Sequence, residues 1–290
     1  MQDFAGKVAV ITGAASGIGR AIAEQCVALG VKTVLADVEQ AALDQAGSDL
    51  QARGGTVLCV RTDVSKRADV EALADKAYAA FGQVHLLFNN AGIGAGGVAW
   101  EATWNDWEWA IGVNLWGVIN GIKVFLPRMI AQQTECHVVN TSSGAGLIAG
   151  AGSAPYVTTK HAVVALSENL HLGLEQRKSP IKVSVLCPGT TRTNIAFSER
   201  NRPEELRNPE QPMTPERQAG LAALKSILEK STPSEKVAED VFDAIRKEQF
   251  YVLTDPRWME MVQMRVERLL KLENPLDPTP AVIKLLGSQA

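Results

Sequence analysis

Three residues in the middle of the chain could together do acid–base chemistry: Ser143, Tyr156 and Lys160. Tyr156 and Lys160 are four positions apart, so on a helix their side chains would lie on one face. A free tyrosine has a pKa of about 10, and a neighbouring ammonium lowers that pKa by favouring the phenolate. Such a tyrosine can accept a proton from an alcohol or donate one to a carbonyl, while the serine hydroxyl holds the same substrate oxygen. Because Tyr and Lys are common on helix surfaces, this spacing alone does not identify a catalytic site, and the surrounding elements must be considered.

A glycine-rich turn near the N-terminus is typical of a nucleotide site. The run KVAVIT (7–12) predicts a buried strand, and it leads into Gly13, Gly17 and Gly19 at the start of a helical pattern. Glycines let the backbone approach a pyrophosphate closely, and the following helix offers its N-terminal amides to the anion. The spacing differs from G-x-G-x-x-G, and the alternative is an ordinary strand-to-helix turn.

Asp37 indicates which nucleotide would bind. It ends a second predicted strand (33–36) and lies 18 residues past Gly19, near the place where an acidic residue receives the adenosine ribose hydroxyls. A carboxylate there repels a 2′-phosphate, and neither Ser16 nor Val38 supplies a cation to receive one. We therefore predict NAD rather than NADP, with a helix N-cap as the alternative role for Asp37.

Strands and helices alternate along the first two thirds of the chain, which predicts an α/β doubly wound parallel sheet with helices on both faces. The glycine turn, Asp37, Asp63, Asn90, Ser143 and Pro188-Gly189 all follow predicted strands, so they should meet at one edge of the sheet. Further strands are predicted at 56–62, 84–88, 137–141 and 181–187, with helices at about 17–30, 39–53, 66–81 and 104–131 and one carrying Tyr156 to about 178.

The last third is less regular. We predict a single domain over 1–290, with a substrate lid at 190–230 and a C-terminal extension at 255–290; a plain surface loop is the alternative for the lid. Predicted elements there are helices at 216–230, 234–248 (capped by Ser234) and 257–273, and a strand at 250–254.

Composition excludes several classes of function. The 290 residues carry a net charge of −3 with no long basic run, which argues against nucleic acid as a partner. No stretch of 18 uninterrupted apolar residues predicts a membrane span, and the N-terminus lacks the pattern of a secretory signal. The four cysteines are widely spaced without a metal-binding pattern, so we expect reduced thiols, a cytoplasmic protein and no metal.

Together these motifs make the chain resemble the short-chain dehydrogenases/reductases over residues 5 to about 255. TGAASGIG (12–19), NNAG (89–92) and the Ser143/Tyr156/Lys160 spacing carry the resemblance, together with Asn114 in GVNLWGV and PGTTRT (188–193). The resemblance implies a seven-stranded Rossmann sheet and the catalytic set Asn114, Ser143, Tyr156 and Lys160. It implies that the cofactor contacts are Gly13, Ser16, Gly17, Ile18, Gly19, Asp37, Asp63, Val64, Asn90, Ala91, Gly92, Tyr156, Lys160, Pro188, Gly189, Thr191 and Thr193.

The resemblance also implies a mechanism. Tyr156 would be the general acid/base, Lys160 would lower its pKa and bind the nicotinamide ribose, and Ser143 would orient the substrate oxygen. Asn114 would hold a water that links Lys160 to solvent. Members of the family commonly pair through the long helix and the Tyr156 helix, so a homodimer or homotetramer is expected.

The small-molecule alcohol or ketone substrate is expected to be hydrophobic, cyclic or aromatic. Its pocket should be lined by Gly94, Ala145, 147–152 and 190–220, and the side chains of Met213, Leu221 and Leu224, in or next to that last segment, are apolar. Five tryptophans between 100 and 116 could form an aromatic wall, although packing of the long helix is the favoured interpretation. Two alternatives stay open: an NADPH-dependent carbonyl reductase and a non-enzymatic NAD-sensing protein.

Overall fold

A computed structural model describes residues 1–209, 214, 218, 222, 226, 228–278 and 280–281. Its centre is one sheet of seven parallel strands in the order β3-β2-β1-β4-β5-β6-β7. The strands are β1 Val8–Thr12, β2 Lys32–Asp37, β3 Val57–Arg61, β4 Leu86–Asn89, β5 Cys136–Thr141, β6 Ile181–Cys187 and β7 Tyr251–Leu253. The predicted doubly wound Rossmann sheet is confirmed.

Helices cover both faces of the sheet. They are α1 Gly17–Ala28, α2 Gln40–Ala52, α3 Arg67–Phe81, α4 Trp104–Ala110, α5 Gly117–Gln132, α6 Ala154–Gln176, α7 Ser234–Lys247 and α8 Trp258–Leu270. Short 3₁₀ turns lie at Gly144–Gly146, Ile195–Asn201 and Glu204–Leu206. The predicted helix at 216–230 falls mostly outside the described residues, as do Met213, Leu221 and Leu224.

The central strand β1 shows why this sequence forms a two-sided core. Successive side chains of a strand point to opposite faces of the sheet. Ile11 packs with Phe88 and Phe242 in the cluster beneath α1 and α7, whereas Val10 packs with Phe125 in the cluster on the other face. Both faces of β1 are therefore buried, and a continuous run of β-branched residues fits that environment.

The long predicted helix 104–131 is the main departure from expectation. The structure divides it into α4 and α5, joined by a π-helical turn at Ile111–Trp116 that contains Asn114. Single π-turns inside α-helices occur frequently at functional sites, and no local propensity signals them. By length and composition alone, Trp104–Gln132 could cross a membrane, but half of its most apolar window is buried inside the protein, as in a core helix.

The start of α7 also differs from the prediction. Ser234 does not cap the helix: Pro233 occupies the N-cap position, and Ser234 is the first helical residue. The Ser234 hydroxyl donates instead to the carbonyl of Arg192, 2.8 Å away. It thereby ties α7 to the segment that follows β6.

Candidate active site

The strand order reverses between β1 and β4: β2 and β3 lie on one side of β1, and β4 to β7 lie on the other. A crevice opens beyond the carboxyl ends of β1 and β4. Thr12, the last residue of β1, holds the segment after β4 in place. Its hydroxyl oxygen accepts hydrogen bonds from the amides of Asn90 and Ala91, at 2.9 and 3.0 Å. Gly13 follows with a φ of +65°, and a Cβ atom there would lie 2.9 Å from the Cα of Ala91. A glycine is therefore required for this close approach of two strand ends.

A cavity of about 1310 Å³ runs along this edge of the sheet. Of the residues predicted for catalysis and cofactor binding, all line this cavity except Gly19 and Asn114. A Cβ atom on Gly19 would overlap the carbonyl of Gly13, so Gly19 shapes the turn from behind. Gly94, Ala145 and Ile148 also line the cavity, as expected for the substrate end.

Asp37 lies at one end of the cavity, where its carboxylate organises the turn. Its two oxygens accept from the amides of Ala15 and Glu39, each at 3.0 Å. Burial raises the pKa of this carboxyl, and the backbone hydrogen bonds oppose that rise. The alternative N-cap role is not observed, because Glu39 occupies the N-cap position of α2 and contributes no side-chain cap.

One contact near Asp37 was not predicted. The Glu39 carboxylate accepts from Arg200, at 3.1 and 2.8 Å, and from the Asn201 side-chain amide at 2.8 Å. These donors belong to the Ile195–Asn201 segment, so the predicted lid reaches across the chain to α2. No sequence pattern pairs residues 161 positions apart, and this contact depends on the fold.

Tyr156 and Lys160 lie on one face of α6, as their spacing predicts. The Lys160 ammonium is 5.5 Å from the centroid of the Tyr156 ring and donates to the carbonyl of Thr141 at 3.0 Å. Lys160 is only 2% exposed, and burial lowers its pKa to about 8. Desolvation disfavours the charged ammonium and outweighs the opposing electrostatic contribution of Cys187.

The pKa of the Tyr156 hydroxyl differs from the sequence prediction, which was a lowered value. Burial raises the pKa of Tyr156, and a hydrogen bond from Ser143 opposes that rise. The predicted lowering of this pKa by Lys160 is not observed: desolvation dominates, and the contribution that opposes it comes from Ser143 rather than from Lys160. Ser143 precedes the Gly144–Gly146 turn, and its hydroxyl also accepts from the amide of Ala145 at 3.2 Å. The hydroxyls of Ser143 and Tyr156 thus face the same part of the cavity.

Asn114 is buried behind the cavity rather than in its wall. Its side-chain oxygen accepts from the amide of Ile93 at 2.8 Å, and its amide donates to the Ile93 carbonyl at 3.0 Å and to Thr159 at 3.3 Å. Its side chain therefore holds the segment after β4 in place. A Cβ atom on Gly92 would lie 3.3 Å from the Asn114 side-chain oxygen and 3.4 Å from the Lys160 nitrogen, so these groups converge on Gly92.

The carboxylate of Asp63 accepts hydrogen bonds within its own turn. One oxygen accepts from the amide and hydroxyl of Ser65, at 3.0 and 2.6 Å. The backbone carbonyl of Val64 accepts from the side-chain amide of Asn120 at 2.9 Å. Both Asp63 and Val64 line the cavity. The Asp63 amide already donates to the Asp69 carboxylate, and its carbonyl accepts from the amide of Lys66, each at 3.0 Å, so of this pair it is the Val64 side chain that can meet a nucleotide base.

Two tryptophans contribute to the wall of the cavity. Trp109 and Trp116 line it, and Arg202 stacks over the Trp109 ring at 4.3 Å, whereas Trp100 and Trp104 are largely exposed. Trp258, the first residue of α8, also lines the cavity, and sequence reasoning missed it. Its ring lies so close to Gly144 and Gly189 that a Cβ atom at either position would overlap it. In the sequence, Gly144 and Gly189 are the only residues that hint at this close packing of Trp258.

The residues fit a dinucleotide with its adenosine near Asp37 and its reactive end near Tyr156. Gly13 and Gly17 have no side chains to obstruct the turn, and α1 begins at Gly17, so its N-terminal end borders the cavity. In the part of the chain that the structure describes, no three His, Cys, Asp or Glu side chains form a group that could hold a metal ion.

Comparison with known proteins agrees with this geometry. The family model described as short chain dehydrogenase matches residues 7–204. A solved short chain dehydrogenase/reductase from Burkholderia phymatum, in complex with NAD, is 48% identical, covers 96% of this chain and 99% of its own, and superposes with a TM-score of 0.92.

Two curated relatives match at lower identity. The CLA biosynthesis dehydrogenase/reductase of Lactiplantibacillus plantarum is 34% identical over 272 residues, which is 93% of this chain and 95% of the relative. The C alpha-dehydrogenase of Sphingobium sp. is 35% identical over 281 residues, 97% of this chain and 90% of the relative. The chain belongs to the short-chain dehydrogenase/reductase family. The predicted family and enzyme class, an oxidoreductase acting on CH–OH donors, are confirmed.

Proposed function

We propose that this protein interconverts a hydrophobic secondary alcohol and its ketone, with NAD as the hydride carrier and Tyr156 as the general acid/base. The observation that carries the proposal is the cavity itself. It holds Asp37 at one end and the paired Ser143 and Tyr156 hydroxyls, with buried Lys160, further along. The cofactor is NAD, as Asp37 predicts and as the NAD complex of the Burkholderia phymatum relative supports.

Each residue of the catalytic set has a distinct part. Ser143 donates a hydrogen bond to the substrate oxygen and thereby sets its distance from Tyr156. Tyr156 takes the hydroxyl proton during oxidation and returns it during reduction. Lys160 supplies positive charge beside the Tyr156 ring, and Asn114 positions the segment that carries Gly92. When bound, NAD supplies the hydride acceptor, and its positive nicotinamide ring favours the Tyr156 phenolate.

The cofactor roles of the remaining residues are part of the proposal. Gly13, Ser16, Gly17 and Ile18 would hold the pyrophosphate through backbone amides, and Asp37 the adenosine ribose. At the other end, Pro188, Gly189, Thr191 and Thr193 would hold the carboxamide, with the 190–230 segment as a lid. Supporting this lid role, Thr193 lies against Gly17, where a Cβ atom would be 3.0 Å from the threonine methyl.

We also propose a homodimer or homotetramer in the cytoplasm. Trp116 and Ile130 on the long helix and Leu172 on α6 are exposed apolar side chains on the two helices expected to pair. All four cysteines are free thiols, which fits a reducing compartment.

The test is NADH formation at 340 nm with NAD or NADP across secondary alcohols from short aliphatic to bulky aromatic. We expect turnover with NAD, at least a hundredfold loss in Tyr156→Phe, and a shift towards NADP in Asp37→Ala. Turnover with NADP alone would favour the carbonyl reductase. NAD binding with no turnover of any alcohol, or of any ketone with NADH, would favour the sensing protein.

A further inference from the structure

A second, smaller cavity of about 270 Å³ lies beneath α8 and adjoins the active-site cavity. The two cavities share the residues Ile148 and Pro278. Ile148 also packs directly against Trp258 and Met261 of α8. The smaller cavity therefore lies directly against the active-site cavity, with Ile148 and Pro278 in the wall that the two share. Its volume is near the lower limit of ligand sites, which suits an unbranched chain better than a ring system.

The lining of this second cavity is apolar and adaptable. Met261, Met264 and Leu269 contribute from α8, and Leu276 and Pro278 close the other side. Positions 261, 264, 265, 268 and 269 recur at the spacing of one helical face, so the whole face of α8 is turned towards the cavity. Methionine side chains are flexible and polarisable, and they can adjust to an aliphatic chain.

Two arginines on the same face give the cavity a charge. Arg268 is already engaged, with Glu273 at 3.1 Å and the carbonyl of Asn274 at 2.6 Å. Arg265 is exposed, and among the described residues it forms neither an ion pair nor a side-chain hydrogen bond. Glu273 is the one carboxylate among the described lining residues, so Arg265 leaves a net positive charge at the wall of an apolar cavity.

The length of α8 sets the distance between the reacting groups beside Trp258 and the charge of Arg265. Arg265 lies seven residues after Trp258, which at 1.5 Å per residue is roughly 10 Å along α8. Trp258 packs on Gly144, beside Ser143, so this distance begins next to the reacting groups. An extended chain advances about 3.4 Å for every three bonds, so roughly 10 Å corresponds to about nine bonds.

We propose that this cavity is a subsite for an aliphatic chain ending in a carboxylate, so that the substrate is a hydroxy acid whose secondary alcohol is about eight to ten bonds from the carboxyl group. The inference rests on the proposed function and narrows its substrate class. The chain lies along Met261, Met264 and Leu269, and the carboxylate pairs with Arg265. The alcohol carbon then meets Ser143 and Tyr156.

The experiment compares four alcohols with NAD: 9-hydroxydecanoate, its methyl ester, 2-decanol and 2-butanol. We expect kcat/KM for 9-hydroxydecanoate to exceed that for the ester and for 2-decanol about tenfold, because one charged hydrogen bond is gained. In Arg265→Gln this preference should fall to near one, whereas Lys271→Gln, which removes an exposed charge outside the cavity, should retain it.

A second pair of variants tests the cavity itself. Met264→Trp fills it, so kcat/KM for the ten-carbon alcohols should fall at least tenfold relative to 2-butanol, while Val266→Trp on the outer side of α8 should match the wild type. Titration of decanoate should show binding to the wild type and weaker binding to Met264→Trp. Turnover of 2-butanol without preference for chain or carboxylate would overturn this inference alone. Turnover of none of the four alcohols would overturn this inference, and the proposed function fails with it only if the bulky aromatic alcohols of the 340 nm panel are not turned over either.

Discussion

At the scale of single residues, Lys160 shows a conflict between stability and chemistry. Its ammonium is buried and, among the residues that the structure describes, donates one hydrogen bond, to the carbonyl of Thr141. Burial lowers its pKa from 10.5 to about 8, so the charged form is destabilised in the folded state. A shift of this size corresponds to a cost on the order of 3 kcal/mol. Such a cost is tolerated where the charge has a function.

We therefore expect Lys160→Met to be inactive and yet more stable than the wild type at pH 7, by about 1–3 kcal/mol. The advantage should shrink as the pH rises from about 8 to 10.5. Over that range the folded wild type has already lost its proton, whereas the unfolded chain still holds one, so wild-type stability rises. Urea unfolding at several pH values measures this difference. A Met variant less stable than the wild type at pH 7 would contradict it.

At the scale of elements, the segment after β6 is joined to the cofactor end by Glu39, Arg200 and Asn201. Nearby positive charge and hydrogen bonds lower the pKa of Glu39 despite some burial. Because Glu39 and Arg200 remain about one third exposed, their ion pair contributes at most about 1 kcal/mol. The contact can therefore hold a lid in place without preventing its opening.

If the segment covers bound NAD, Glu39→Gln should release NAD about two- to fivefold faster. Displacement of NAD, followed by stopped-flow fluorescence, measures this rate. Glu24→Gln is the matched control, because Glu24 pairs with Arg20 at 2.9 Å on α1 and does not line the cavity. An unchanged release rate in Glu39→Gln would remove the lid role from this contact.

The elements also show the limit of sequence reasoning. Strand ends such as Asp37 and Asn90 could be placed because buried β-branched runs and the turns that follow them are local signals. The π-helical turn around Asn114 could not, since its apolar pattern matches that of an ordinary helix. Glu39 with Arg200, and Trp258 with Gly144, are joined by the tertiary fold, and no spacing along the chain predicts them.

At the scale of the whole molecule, the parallel sheet explains why distant motifs form one site. Its crossover between β1 and β4 brings Thr12 and Asn90 into contact, and β5 and α6 bring Ser143 and Tyr156 alongside. The last third of the chain then closes the substrate end through Trp258. The core of the site follows from the strand order, whereas the substrate end depends on α8, which lies beyond the matched family region.

The pH dependence of alcohol oxidation tests the central role of Tyr156 most directly. We predict that kcat/KM for a turned-over alcohol rises with pH, because burial raises the pKa of Tyr156 and oxidation needs the phenolate. Tyr156→Phe should lose at least a hundredfold at every pH, whereas Tyr251→Phe, which removes a hydroxyl bonded to Glu168 away from the cavity, should keep the wild-type profile. A Tyr156→Phe enzyme that retains activity within tenfold and the same pH profile would contradict the account.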